Sequence, residues 1–339
     1  MKEQIQSNKE LIRSKASELG IDVCAFASPK ADVRKAYLES WLSSKKAGNM
    51  DWMYRNVEMR GNPESVLEDT KTVIMFGLNY YQPPPEQRGK IATYALGRDY
   101  HKVFKKKIQK LGTYIEENLG GRTRTFVDTA PIMEKPLAAS TGMGWQGKST
   151  LLIHKKFGTW LFLGELFTNL SIEHDQDSSQ GKGYCGKCTR CLDACPTNAI
   201  VAPYQLDARK CIAYLTIEHK GPIPMEFRKL IGDKVYGCDD CLTVCPWNRW
   251  AKQTREADFK ARPLPDLADT LSWKDEDFLK AFAGSAVYRL KLERWKRNVC
   301  VVLGNIGTKK DLIALQQVKG ESELVDEHAD WAIRQIQNP

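Results

Sequence analysis

The chain has 339 residues, of which 42% are hydrophobic, with 51 basic against 42 acidic side chains and a formal net charge of +9. This is enough for two domains, or one large domain with an appendage, and it excludes a small disulfide-stapled scaffold. The polar start MKEQIQSNKE lacks the apolar core of a signal peptide, and the best membrane candidate, LLIHKKFGTWLFLGELF, is broken by His154, Lys155 and Lys156. A soluble cytoplasmic protein is expected, with an anionic partner that charge alone does not identify.

In chain order, SNKELIRSKASELG reads as an amphipathic helix closed by Gly20, and IDVCAFA as a short strand. Residues 31–59 read as helical, TVIMFGLNY (72–80) as a buried strand and YQPPPEQRG as a loop. Residues 100–119 read as a helix carrying the basic stretch HKVFKKKIQK, and TRTFVDTA as a strand ending at a turn before Pro131. Residues 150–169 read as a hairpin turning near Lys155–Gly158. The polar stretch IEHDQDSSQGKG marks a boundary near 172, and after ARPLPDLAD the chain becomes helical again. The expected fold class is α+β: an N-terminal α/β domain over 1–172, a two-cluster ferredoxin-like module over 173–255, and a short helical, HEAT-like segment over 256–339.

Eight of the ten cysteines lie between Cys185 and Cys245. The first run, Cys185-x2-Cys188-x2-Cys191-x3-Cys195-Pro196, has the spacing of bacterial ferredoxins, in which the fourth cysteine ligates the other cluster. The second group, Cys238-x2-Cys241-x3-Cys245-Pro246, is preceded by Cys211. Exchange of the fourth ligands gives Cys185, Cys188, Cys191 and Cys245 to one [4Fe–4S] cluster, and Cys195, Cys211, Cys238 and Cys241 to a second. The segment from Cys211 to Cys238 is an insertion between ligands of one cluster. Structural zinc would use two C-x2-C pairs instead. Cys24 and Cys300 stand in apolar contexts and read as core residues.

Gly142-x4-Gly147-Lys148-Ser149 matches a phosphate-binding loop in letters, but helix or loop precedes it and a strand follows, the reverse of the required order. It reads better as a Gly-rich loop that lets backbone approach a large flat or anionic ligand. Asp99-Tyr100-His101-Lys102-Val103-Phe104 approaches the D-x-H-x-x-G pattern of histidine-ligated cobalamin. It ends in Phe instead of Gly, so His101 reads as a surface or capping residue.

The stretches VDTAPIMEKPLAASTGMGWQGKSTLLI, CGKCTRCLDACPTNAI, CIAYLTIEHKGPIP and GCDDCLTVCPWN resemble the epoxyqueuosine reductases, relatives of the corrinoid reductive dehalogenases. The resemblance covers about residues 10–305. It implies reduction of the epoxide of epoxyqueuosine at the tRNA wobble position to the alkene of queuosine, the last step of queuosine biosynthesis, with cobalamin and two [4Fe–4S] clusters. It implies that Asp128, in V-D-T-A-P, is the acid that protonates the departing oxygen. A carboxylic acid donates at neutral pH when an apolar site raises its pKa, so a raised value is expected. The residues alone leave open a turn-forming Asp128, and Glu134 is the rival carboxylate. The corrin is expected over the Gly-rich loop at Gly144, Trp145, Lys148 and Ser149, with Asp239 and Asp240 on the cluster side and Arg60, Tyr94 and Tyr100 as further contacts.

AVYRLKLERWKRN carries Arg289, Lys291, Arg294, Lys296 and Arg297 with Tyr288 and Trp295 interleaved, a pattern suited to phosphates and unstacked bases. Lys220, Lys291, Arg294, Lys296 and Arg297 are the candidate contacts to a tRNA with a GUN anticodon; a solvated helix face is the alternative. A corrinoid reductase of small molecules would share the clusters without needing this stripe. A non-catalytic electron carrier would need neither Asp128 nor a corrin. A monomer fed by a low-potential electron donor, with no membrane partner, is expected.

Overall fold

The structure, a computed structural model, describes residues 2–176 and 183–338. Helix α1 (Lys2–Glu18) leads into β1 (Val23–Ala27), with Gly20 in the left-handed turn between them. The region expected as one helical stretch is divided: α2 (Lys35–Ser43) and α3 (Val57–Gly61) are separated by a 3-10 turn at Asp51–Met53. Positive φ at Lys45, Gly48 and Asn56 prevents a continuous helix. Strand β2 (Thr72–Asn79) is buried along its whole length, and a loop carries the chain to β3 (Lys90–Ile91).

Helix α4 (Tyr100–Leu119) is capped by the Asp99 side chain, which accepts from the His101 N–H, and it ends at left-handed Gly120. Then come β4 (Thr123–Phe126), α5 (Glu134–Ser140), β5 (Trp145–Gln146), β6 (Leu152–Ile153) and β7 (Leu161–Thr168). The main sheet has the order β1-β2-β7-β4, antiparallel throughout. Alternation along β2 sends Ile74, Phe76 and Leu78 toward α1 and α4, and Val73 and Met75 toward α5.

The hairpin expected over 150–169 does not form. The turn is there, with His154 and Gly158 exchanging backbone hydrogen bonds, but β6 pairs with β5 while β7 lies between β2 and β4. Seven of the eight residues of β7 are buried, so it needs neighbours on both edges.

The cysteine region contributes α6 (Arg190–Asp193), β8 (Ile200–Ala202), β9 (Gln205–Leu206), α7 (Met225–Ile231), β10 (Lys234–Tyr236) and α8 (Asp240–Thr243). A π-helical turn at Tyr214–Glu218 lies inside the 211–238 insertion. Strand β10 runs parallel to β3, tying the insertion to the N-terminal part. Helices α9 (Asp275–Phe282), α10 (Lys291–Ile306), α11 (Leu312–Gln317) and α12 (Glu323–Gln337) complete the chain, with α10 packed along α12. Val299–Leu303 of α10 share one hydrophobic core with Ile91, Leu96, Ile212, Ile217, Val235 and Tyr236. The C-terminal helices therefore close over the insertion. None of the described helices is long and apolar enough to cross a membrane.

This packing corrects the tRNA assignment of three basic residues. Lys296 and Arg297 are almost wholly inaccessible, as is Trp295. Arg297 donates to the carbonyls of Leu215, His219 and Gly221 at 2.7–3.0 Å and to Asn298 Oδ1. Burial pulls its pKa down to about 9. Asn298 Nδ2 donates to the carbonyls of Thr216 and Val235. Arg294 Nη1 donates to Ile217 O at 2.6 Å, and Lys296 Nζ pairs with Glu321 at 2.5 Å. Irregular backbone in a core must find donors for its carbonyls, and this helix face supplies them. Lys220 and Lys291 remain exposed.

Arg297→Met leaves one buried and two part-buried carbonyls without this donor, so a loss of about 3 kcal/mol is expected. Thermal melting checks this; an unchanged melting temperature would contradict the clamp.

Candidate active site

All eight clustered cysteines are free and partly buried. Burial pushes the Cys191 thiol up, and the neighbouring Cys185, Cys188 and Cys245 add to it. Burial likewise pushes Cys241 up, helped by Cys211, Cys238 and Cys195. The two neighbourhoods coincide with the two sets that the exchange reading pairs. Among the described residues no group of His, Cys, Asp and Glu converges on the site of a single ion.

A cavity of about 490 Å³ opens beside the second set. One side carries Cys211, Cys238 and Asp239, and another Tyr100, His101 and Asp128. Leucines 151, 152, 161, 163, 206 and 242, with Phe162 and Ile217, form much of the rest. Of the residues read from sequence as cofactor contacts, it brings together Tyr94, Tyr100, Asp128 and Asp239. Cys238 and Asp239 also border a larger groove, of about 1140 Å³, that contains Asp240. Asp239 accepts from the Thr93 N–H at 2.7 Å, and Asp240 pairs with Lys234 at 3.1 Å. Arg60 is buried outside the cavity lining, facing the Trp52 ring; burial lowers its pKa and the charge of Asp128 opposes that.

Asp128 stands just beyond β4 with φ 50°, a left-handed conformation that costs a non-glycine residue about 1 kcal/mol. Its backbone N–H donates to Glu134 Oε1 at 2.9 Å, and its Oδ2 accepts from Tyr100 OH at 2.6 Å. The Tyr100 ring is held between Phe162 and His101, both centroids 4.0 Å away. His101 bridges two carboxylates, with Nδ1 at 2.7 Å from Asp99 and Nε2 at 3.7 Å from Asp128.

The electrostatics reverse the expected state of Asp128. The surrounding protein pushes its carboxyl up, but His101 and Tyr100 outweigh this and hold it below the usual carboxylate range. His101 is lowered by burial and raised more strongly by Asp128 and Asp99, reaching about 9. At neutral pH the proton therefore rests on His101, beside an ionised Asp128 whose side chain is 61% exposed to the cavity. His101, expected from the sequence as a surface or capping residue, instead stands between two carboxylates at the cavity. The informative signal was an Asp cap that places a histidine in the first turn of a helix.

The Gly-rich loop does something other than what its letters indicate. A Cβ on Gly144 would stand 2.6 Å from Ile153 O, and one on Gly147 2.5 Å from Ile153 Cδ1, so the glycines let β5 lie close to β6. Lys148 Nζ donates to the carbonyls of Gly186 and Cys188 at 2.7 and 3.0 Å. Lys148, Ser149, Tyr184 and Trp247 line a small cavity with Cys185, Cys188, Cys191 and Cys245, and Trp145 packs on Tyr184 and Trp247. Gly144, Trp145, Lys148 and Ser149 thus support the first cysteine set instead of lining the Asp128 cavity.

Behind Asp128 lies Glu165, 1% exposed in the middle of β7, with Glu134 beside it and neither carboxylate oxygen in good hydrogen-bond geometry with a partner among the described residues. Burial and the nearby Glu134 raise its pKa far above the ordinary value, so it is neutral. Burial and Asp128 raise Glu134 to about 7. A lone acid in the apolar run LFLGELFT was a legible signal of this pair.

A cavity flanked by cysteines with ferredoxin spacing on one side and a carboxylate–imidazole chain on the other marks the class as an iron–sulfur oxidoreductase. Comparison with known proteins is specific. Residues 184–248 match the model of the 4Fe-4S double cluster binding domain, and residues 60–129 match the model described as epoxyqueuosine reductase QueG, DUF1730. The epoxyqueuosine reductase of Vibrio cholerae is 42% identical, over 96% of this chain and 90% of that protein. The Escherichia coli enzyme is 41% identical, over 99% and 92%. A crystal structure of an epoxyqueuosine reductase with an epoxyqueuosine-modified tRNA-Tyr stem loop superposes with a TM-score of 0.91 at 29% identity, covering 98% of this chain and 91% of that one. A Bacillus subtilis structure, described as having its catalytic aspartate loop swung out of the active site, superposes at 0.89 with 28% identity, covering 98% and 91%. The chain belongs to the epoxyqueuosine reductase family.

Glu165 is neutral in the folded protein but ionises in the unfolded chain above the ordinary glutamate pKa. Folding is therefore progressively disfavoured as pH rises above that value. Glu165→Gln removes this term, so its melting temperature should fall less with rising pH than that of the parent. Parallel pH dependences would contradict a buried neutral acid.

Proposed function

We propose that this chain reduces the epoxide of epoxyqueuosine in tRNA to the alkene of queuosine. The reaction breaks both epoxide C–O bonds and consumes two electrons and two protons, leaving the alkene and one water. The observation that carries this reading is the Asp99–His101–Asp128 chain, which faces cysteines of the double-cluster domain across one largely apolar cavity. In this reading Cys185, Cys188, Cys191 and Cys245 hold one [4Fe–4S] cluster, and Cys195, Cys211, Cys238 and Cys241 hold the other. Both supply one-electron transfer when bound.

Two features support cobalamin here: largely apolar, extended walls, and lining residues Cys238 and Asp239 that also border the larger groove. Leu151, Leu161, Phe162, Leu206 and Ile217 would bear on the macrocycle, and when bound the cofactor supplies the low-potential reduction of carbon. The protein's own part is proton handling. Asp128 presents its carboxylate to the cavity, Tyr100 fixes Oδ2, and His101 holds the proton that passes through Asp128 to the departing oxygen. Such a positioned donor is worth about 10²–10⁴-fold. Glu134 fixes the backbone of Asp128, making it a positioning residue. The partner is a tRNA with a GUN anticodon, whose modified base must leave its stack to enter the cavity. Lys220 and Lys291 are the exposed basic residues of the predicted set that remain for its phosphates.

Asp128→Asn should retain both clusters and stem-loop binding and lose about 10²–10⁴-fold in single-turnover rate. Normal turnover would remove Asp128 as the donor. Because His101 stores the proton, the parent's rate should hold through neutrality and fall as pH rises through about 9. His101→Gln should move that fall to lower pH, and a parent rate already falling near the ordinary carboxylate range would contradict the dyad.

A further inference from the structure

The Asp128 cavity is lined by Cys211 and Cys238, and by no cysteine of the first set. With the two sets in series, the first is the one farther from the cavity, and the surface around it is where a donor protein would meet the pair. Tyr184 and Trp250 are 47% and 46% exposed there. Tyr184, Trp145, Trp247 and Trp250 form one aromatic chain with centroid separations of 4.7–5.9 Å. Cations cover its two outer ends: Lys155 Nζ lies 5.1 Å from the Tyr184 ring and the Arg249 guanidinium 3.7 Å from the Trp250 ring. Lys187 and Arg190 are exposed between the cysteines themselves. The acid beside them, Asp193, is engaged by Thr189 Oγ1 at 2.8 Å.

Lys155, Lys187, Arg190 and Arg249, none of them in an ion pair among the described residues, edge these exposed rings and outnumber the one exposed acid beside them, Asp193, so the face is net basic and adhesive. Such a face raises the encounter rate of an oppositely charged partner and orients it. Resting on the reductase reading, we propose that this face docks an acidic, low-potential one-electron carrier protein. With the clusters bound, each encounter would oxidise one reduced carrier by one electron, accepted at Cys185, Cys188, Cys191 and Cys245, so two encounters would serve one epoxide. The fit is to a transient partner, because solvated charges and a few rings favour fast association and fast release.

The test uses the holoprotein and a flavodoxin of net negative charge as the probe. Lys155→Glu, Lys187→Glu and Arg249→Glu combined should raise the flavodoxin Kd about tenfold or more and flatten its salt dependence. Dithionite-driven turnover and stem-loop affinity should stay within about twofold. Arg249→Gln alone, outside the cysteine loops, should shift Kd in the same direction if the triple variant loses clusters. Lys102→Glu, Lys106→Glu and Lys110→Glu combined, on the exposed basic face of α4, match the change in net charge and control for it. An unchanged flavodoxin Kd, an equal loss in the α4 control, or loss of stem-loop binding in the triple variant would each overturn the proposal; the last would assign the face to RNA. Absence of dithionite-driven turnover in the parent would count against the reductase reading while leaving the carrier Kd to judge the docking face.

Discussion

The architecture depends on Arg297 and its neighbour Asn298, which reach from a buried helix to satisfy the carbonyls of an irregular segment. That segment carries Cys211 at one end and Cys238 at the other. Besides the short helix α7 it has a π-helical turn and a short parallel pairing with β3. Without donors on the helix face, its backbone would be too polar for the core it occupies. With them, it becomes a rigid wall of the Asp128 cavity. The C-terminal helices thus act on the reaction through packing, whatever their exposed residues contribute to RNA.

On the opposite wall the constraint is electrostatic. Three carboxyl groups crowd the end of β4: Asp128, Glu134 and Glu165. Like charges this close do not all ionise in a low-dielectric site. Here the charge is divided by environment. Glu165, sealed in the sheet, is neutral, and Glu134 is raised to about 7 while accepting the Asp128 N–H. Asp128, facing His101 and Tyr100, keeps its charge. A histidine between two aspartates, where an isolated raised carboxyl was expected, solves the same chemical problem: it keeps a proton available at neutral pH beside the cavity.

Much of this was legible in the sequence where one interaction dominates. The cysteine spacing named the clusters, because three ligands at x2 intervals and a C-P terminus leave few alternatives. The 20-residue helix from Tyr100 and the buried strand at 72–79 followed from unbroken periodicity. Lys148 and Arg297 were misread for a common reason: sequence shows a charge but not which carbonyl it will meet. Lys148 sits in a phosphate-loop pattern yet braces the Cys185–Cys188 loop, and Arg297 sits in a basic stripe yet lies in the core. The hairpin at 150–169 failed because local turn chemistry was right but partner choice for β7 is long-range. The pKa of Asp128 was beyond reach, since its sign depends on His101, 27 residues away.

The most direct test of the central claim is the mass of the product from a single turnover of an anticodon stem-loop containing epoxyqueuosine. The anaerobically reconstituted protein, with both clusters and cobalamin present, would be driven by a strong reductant. Loss of one oxygen atom from the modified base is expected. An unchanged mass, with every cofactor accounted for, would contradict it.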